Sequence, residues 1–124
     1  MKKERRIKKN EEFQQMIHEE KHVSSNLFVV YYKPKVMEYN RVGISASKKM
    51  GNAVERNKIK RQLRMMVQET DCLSMEQDVL LLVRKAYLEN DYSENKKGLE
   101  SILKKVRMRA YRDQEGEKKN EKIV

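Results

Sequence analysis

Arg56, Asn57, Lys60, Arg61 and Arg64 carry the most specific chemistry in this sequence. A helix turns each residue by about 100°, so with Arg56 at zero Lys60 falls at about 40°, Arg64 at about 80°, Asn57 at about 100° and Arg61 at about 140°. Ile59, Leu63 and Met66 fall at roughly 280–340°, on the other side. The spacing therefore gives a helix with an apolar face and a cationic arc beside it. An arginine offers phosphate a planar fork, a lysine a point charge, and an asparagine a neutral donor and acceptor. Lys48 and Lys49 lie just ahead, and Asn52 is a good N-cap for a helix reaching about Glu69, so the positive helix end would add to the same anion-binding surface. Glu55 is the acid available locally, too little to turn the arc into alternating salt bridges.

Other chemistry is not apparent in the sequence. It shows no nucleophile–base pair, no phosphate-cradling glycine loop and no metal cluster, which argues against a self-sufficient protein nuclease. His18 and His22 are spaced four apart but have no accompanying third and fourth ligand, and read as surface residues. The single Cys72 cannot form an internal disulfide and reads as a small core or loop residue, and methionines such as Met65 and Met66 read as packing fillers. A reducing, cytoplasmic setting is the expectation. No apolar stretch approaches the length of a membrane span, and the basic opening residues have no apolar run after them to make a secretory signal.

The net charge of +10 over 124 residues implies an anionic partner, and its distribution narrows the choice. Residues 1–9 carry +5, residues 41–64 carry +7 and residues 96–112 carry +6, while the segments between and after them are net acidic. A solubilising surface intersperses the signs. Blocks of one sign suit phosphate binding, where each contact gains by releasing condensed counterions.

The elements that must position these residues follow from periodicity. Asn10, Glu11 and Glu12 open a first helix on which Phe13 and Ile17 share a face. Residues 22–24 give a weak strand signal. Leu27 to Tyr32 is rich in β-formers and runs up to the single Pro34. Arg41 to Ser47 alternates, with Val42, Ile44 and Ala46 on one face and the small Gly43, Ser45 and Ser47 on the other, where a backbone could approach closely. Val79 to Val83 is continuously apolar, as in a strand buried on both faces. Tyr92 and Ser93 precede a last helix with a stripe of Leu99, Ile102, Leu103, Val106 and Ala110. The expectation is one α+β sandwich in the order αβββαβα, a single domain over residues 1–112 with a basic N-terminal arm, followed by a disordered tail over 113–124.

The stretch from Arg41 through the Lys48-Lys49-Met50-Gly51-Asn52 turn to Arg64 resembles the signature of bacterial ribonuclease P proteins, whose RNR motif corresponds here to Arg56, Asn57, Lys60, Arg61 and Arg64. Lys8 to Phe13 is similar to that family's first helix and Asp78 to Arg84 to its last strand, so the likeness covers roughly residues 5–110. Two positions depart from the family pattern: Ile17 stands where a second aromatic is frequent, and Arg84-Lys85-Ala86 lacks a proline common after the strand.

The resemblance implies a protein subunit that binds a large catalytic RNA and helps it remove the 5′ leader of precursor tRNA, with Mg2+ held mainly by the RNA subunit and the substrate. It implies that Lys48, Lys49, Asn52 and the RNR residues face the RNA subunit, and that the N-terminal segment is an RNA-contacting arm. It also implies a left-handed crossover around the RNR helix and a leader-binding cleft between the first helix and the sheet. Composition alone would assign Phe13, Ile17, Val29 and Tyr31 to a core and Phe28 to the core on the opposite strand face. The resemblance moves Phe13, Ile17, Val29, Tyr31, Ser45 and Ser47 to the cleft. A ribosomal or chaperone-like RNA-binding protein is the alternative that charge and fold leave open.

Overall fold

The computed structural model describes residues 3–19 and 21–123, with side-chain surroundings described for 4–19 and 21–115. The elements are α1 (Asn10–Glu19), β1 (Lys21–Ser24), β2 (Phe28–Pro34), β3 (Val42–Ser45), α2 (Ala53–Glu69), β4 (Gln77–Val83) and α3 (Tyr92–Ile123), joined in part by short 3-10 turns. This is the α+β order expected. The sheet runs β1-β2-β4-β3, antiparallel except for the neighbouring parallel pair β3 and β4, which α2 connects. Pro34 closes β2 beyond the last residue paired with β1, so its missing N–H costs no ladder bond on that side.

β4 is buried along nearly its whole length, and its alternating side chains feed two cores. Val79, Leu81 and Val83 join Val30, Phe28 and Val42 beneath the apolar faces of α2 and α3, with Leu63, Met66, Leu99, Ile102 and Val106 fully buried there. Leu80 points the other way, into a smaller core with Ile7 and Met16 under α1. Gly43 allows that second core to close. A methyl group there would come within 2.9 Å of Leu80 Cδ1 and Phe13 Cε1 and 3.2 Å of Ile7 Cβ. The small residues expected to admit a close approach thus do so at Gly43.

The N-terminal segment is docked along β3. Ile7 N–H donates to the Val42 carbonyl at 3.0 Å, and the Ile7 side chain is buried. Arg5 donates to the side chain of the fully buried Asn40 at 2.7 Å and to the Leu73 carbonyl. Asn40 in turn donates to the carbonyls of Cys72 and Gln77 at 2.7 and 3.0 Å. Arg41 reaches Glu12 of α1 at 3.2 Å and the buried Asp78 of β4 at 3.5 Å, while its N–H donates to Asp78 at 2.7 Å. Two arginines counted in the basic blocks, Arg5 and Arg41, are therefore engaged inside the fold.

α3 runs past residue 112 to Ile123. Asp113 anchors it, accepting from Tyr32 Oη at 3.2 Å and pairing with Lys21 at 3.1 Å, and the Gln-, Glu- and Lys-rich residues beyond favour helix. Met65 is half exposed rather than a packing filler, whereas Met66 is fully buried. Cys72 is buried, and its thiol is pushed up to about 12 by that burial.

Gly43→Ala should destabilise the fold by about 1–3 kcal/mol, because Ile7 lies close through its Cβ and has little room to yield. Chemical denaturation checks it: an unchanged midpoint would mean that α1 and the N-terminal segment shift aside without cost.

Candidate nucleic-acid interface

The cationic arc sits on α2 as its periodicity requires. Ile59, Leu63, Met66 and Val67 are buried against the sheet, while Asn57 and Arg61 are exposed and Arg56, Lys60 and Arg64 are half-buried. The helix start is built by a capping box: Asn52 Oδ1 accepts from Glu55 N–H at 2.9 Å, and the Glu55 carboxylate accepts from Asn52 N–H at 3.4 Å. Gly51, at a φ of 126°, supplies the turn, and a side chain there would run into the Glu55 carboxylate. Asn52 thus spends its side-chain oxygen on the helix and keeps only its amide nitrogen for a ligand. Lys48 and Lys49 are exposed on the 3-10 turn just before it.

The capping box also removes the arc's one local acid. With Glu55 turned onto the backbone, none of Arg56, Lys60, Arg61 and Arg64 forms an ion pair among the described residues. Arg56 Nε is buried without a hydrogen-bond partner. The Arg64 guanidinium is held below its ordinary range, first by burial and then by the nearby charge of Arg6. Crowded like charges without a local acid raise the energy of the unliganded surface, and an approaching phosphate relieves it.

The other face of the sheet carries the second part of the site. Strand register places His22 and Ser24 of β1, Val29 and Tyr31 of β2, Leu80 and Leu82 of β4, and Gly43 and Ser45 of β3 on it. α1 covers the end holding Tyr31, Leu80 and Gly43, where Phe13, Ile17, Tyr31 and Leu82 pack around Ile7, Met16 and Leu80. The row Val29, Leu82 and Ser45 is only half-buried. Phe28 faces away and is fully buried. Of the expected cleft residues, Phe13, Ile17 and Tyr31 come together, and Val29 and Ser45 share their face. Ser47 lies just past the end of β3 at Ser45, exposed and immediately before the turn carrying Lys48.

Sequence reasoning missed Leu82 and His22. Leu82 was hidden in an uninterrupted apolar run, where alternation cannot tell the two faces apart. His22 was legible only through strand pairing, which sets it opposite Tyr31 with ring centroids 5.1 Å apart. It also lies on β1 while His18 lies in the last turn of α1, so the two histidines do not share a helix. At the β3 edge the two parts of the site meet in a cleft of about 300 Å³. It is lined by the apolar Phe13, Val42 and Ile44, by Arg6 and Lys8 from the N-terminal segment and by Lys60 and Arg64 from α2. Aromatic and apolar side chains beside cations suit stacked bases and their phosphates. Among the described residues no group of three or more His, Cys, Asp and Glu side chains is placed to hold a metal ion.

The ribonuclease P family model matches residues 1–107. The ribonuclease P protein component of Mycoplasma mycoides is 41% identical over 109 residues, spanning 86% of this chain and 100% of that protein. The solved RNase P protein of Staphylococcus aureus is 35% identical, with a TM-score of 0.74 over 82% of this chain and 94% of that one. A second S. aureus structure, of an RNase P protein mutant described as having defective mRNA degradation activity, is 37% identical with a TM-score of 0.73, covering 84% of this chain and 89% of that one.

Replacing Arg56, Lys60 and Arg61 together by alanine should weaken binding of structured RNA and flatten its salt dependence by roughly one unit of slope for each phosphate the arc no longer neutralises. Filter binding across a salt series measures both, and an unchanged slope would show that α2 faces no phosphate.

Proposed function

The chain belongs to the ribonuclease P protein family, and from that premise we propose that it acts as the non-catalytic protein subunit, binding the RNA subunit through α2 and the 5′ leader of precursor tRNA on the open sheet face. A role in ribonuclease P comes with the family. The division of labour between the two faces rests on one observation. The α2 arc gathers cations that form no ion pair among the described residues, on the far side of a sheet whose other face offers Tyr31, Phe13 and half-buried aliphatics. Dense fixed charge suits the folded RNA, where phosphates converge, and a stacking platform suits an unpaired strand.

The chemistry in this reading belongs to RNA. The described residues supply no metal-holding cluster, the Cys72 thiol is buried and stays protonated, and the buried Tyr87, pushed up to about 12, donates its hydroxyl to Gln62. With no such cluster among the described residues, the reading assigns the Mg2+ implied by the family to RNA and substrate phosphates. What this chain adds is neutralisation of RNA phosphate, which lowers the repulsion that magnesium must otherwise screen.

Two outcomes follow. The protein alone should leave precursor tRNA intact, and adding it to its RNA subunit should lower the magnesium concentration needed for leader removal, both measured by a gel cleavage assay. The S. aureus relative whose mutant is described as defective in mRNA degradation raises a second substrate. Cleavage of either RNA by the protein alone would overturn the non-catalytic reading. Tyr31→Ala should cost about 1–3 kcal/mol in binding precursor tRNA, the range for one stacked base, and leave mature tRNA nearly unaffected. Equal losses for the two, with a lowered melting temperature, would return Tyr31 to the core.

A further inference from the structure

The third basic block, residues 96–112, takes no part in either surface described so far. On α3, with Leu99 at zero, the buried stripe spans about 300° through 40°, and Lys105, Arg109 and Arg112 fall at about 240°, 280° and 220° along one flank. Spaced four and three residues apart, the three stand one above another. With Met108 they form one wall of a groove of about 390 Å³ whose other wall is β1, from His22 to Ser24.

Three features make this flank more than a solvated helix face. Asp113, the acid at its end, is already occupied by Lys21 and Tyr32. Among the described residues Lys105, Arg109 and Arg112 form no ion pair. Arg109 Nη1 donates to the His22 carbonyl at 3.2 Å, which carries its guanidinium across the sheet edge. β1 is an edge strand of four residues, and His22 lies against Tyr31 on the open face, so that face leads directly to this edge.

The geometry points to Lys105, Arg109 and Arg112 as a phosphate-binding row that takes the backbone of a single-stranded RNA as it leaves the open sheet face over the β1 edge. The inference rests on that face holding the strand. Two guanidiniums and an ammonium are the donors phosphodiesters require, and the row reads no sequence. A strand stacked on Tyr31 and passing His22 would turn over the edge into the groove, so the row is reached only by a leader longer than the face itself.

The test uses the holoenzyme with precursor tRNAs bearing leaders of about 4 and about 12 nucleotides, a span typical of single-strand sites. Lys105→Ala combined with Arg112→Ala should weaken long-leader binding several-fold and make its salt slope shallower by about 1.4 units, the change expected when two single-strand phosphates go unneutralised. The short leader should bind as before, and Lys105→Arg with Arg112→Lys should restore the long one. Unchanged long-leader binding overturns the row, and so do equal losses for both leaders, which would place these cations against the tRNA body or the RNA subunit. Tyr31→Ala, run in parallel, separates the two readings. Loss with Tyr31→Ala but not with the α3 pair removes only the row, and loss with neither removes the sheet face as well.

Discussion

The burial of β4 on both faces is the constraint from which the rest of the molecule follows. A strand that is apolar on alternate and intervening positions alike must be covered twice. α2 and α3 cover one side and α1 the other, leaving the first helix to a small core of its own. Because α1 has only ten residues and sits over one end, it cannot close the whole second face. The half-buried row of Val29, Leu82 and Ser45 is what remains. An open, largely apolar surface is costly to leave in water, and it persists here beside charges that keep the molecule soluble.

The same arrangement divides the cations into two populations. Arg5 and Arg41 are held within the fold, one by Asn40 and backbone carbonyls, the other by Glu12 and the buried Asp78. These fix the N-terminal segment and α1 against the sheet, where losing Arg41 would leave a buried carboxylate uncompensated. Among the described residues the arc cations on α2 form no ion pair, and Glu55 caps the helix instead of pairing with them. A single acidic side chain thus does two things at once: it stabilises the helix start and leaves the arc charged.

Crowding follows where the two populations meet. Arg6 and Lys8 from the docked N-terminal segment face Lys60 and Arg64 across the β3 edge. Arg64 is depressed first by burial and then by the charge of Arg6. Stability is given up locally at a surface that gains when a polyanion arrives.

The sequence by itself determined the elements and the arc. An interval of 3.6 residues makes Arg56, Lys60 and Arg64 neighbours and puts Ile59, Leu63 and Met66 on the face beside them, whatever the fold around them. It also marked β4 as doubly buried and Gly43 as a point of close approach. Only the tertiary structure decided which side chains share a surface across elements. Strand register set His22 beside Tyr31 and put Leu82 on the open row. Docking turned Arg5 from an arm residue into a structural one, and the hold of Tyr32 and Lys21 on Asp113 carried α3 past the point where its apolar stripe runs out. Periodicity reports a residue's angle about its own axis. Which element lies across from it depends on pairings between residues distant in the chain, and no local spacing encodes those.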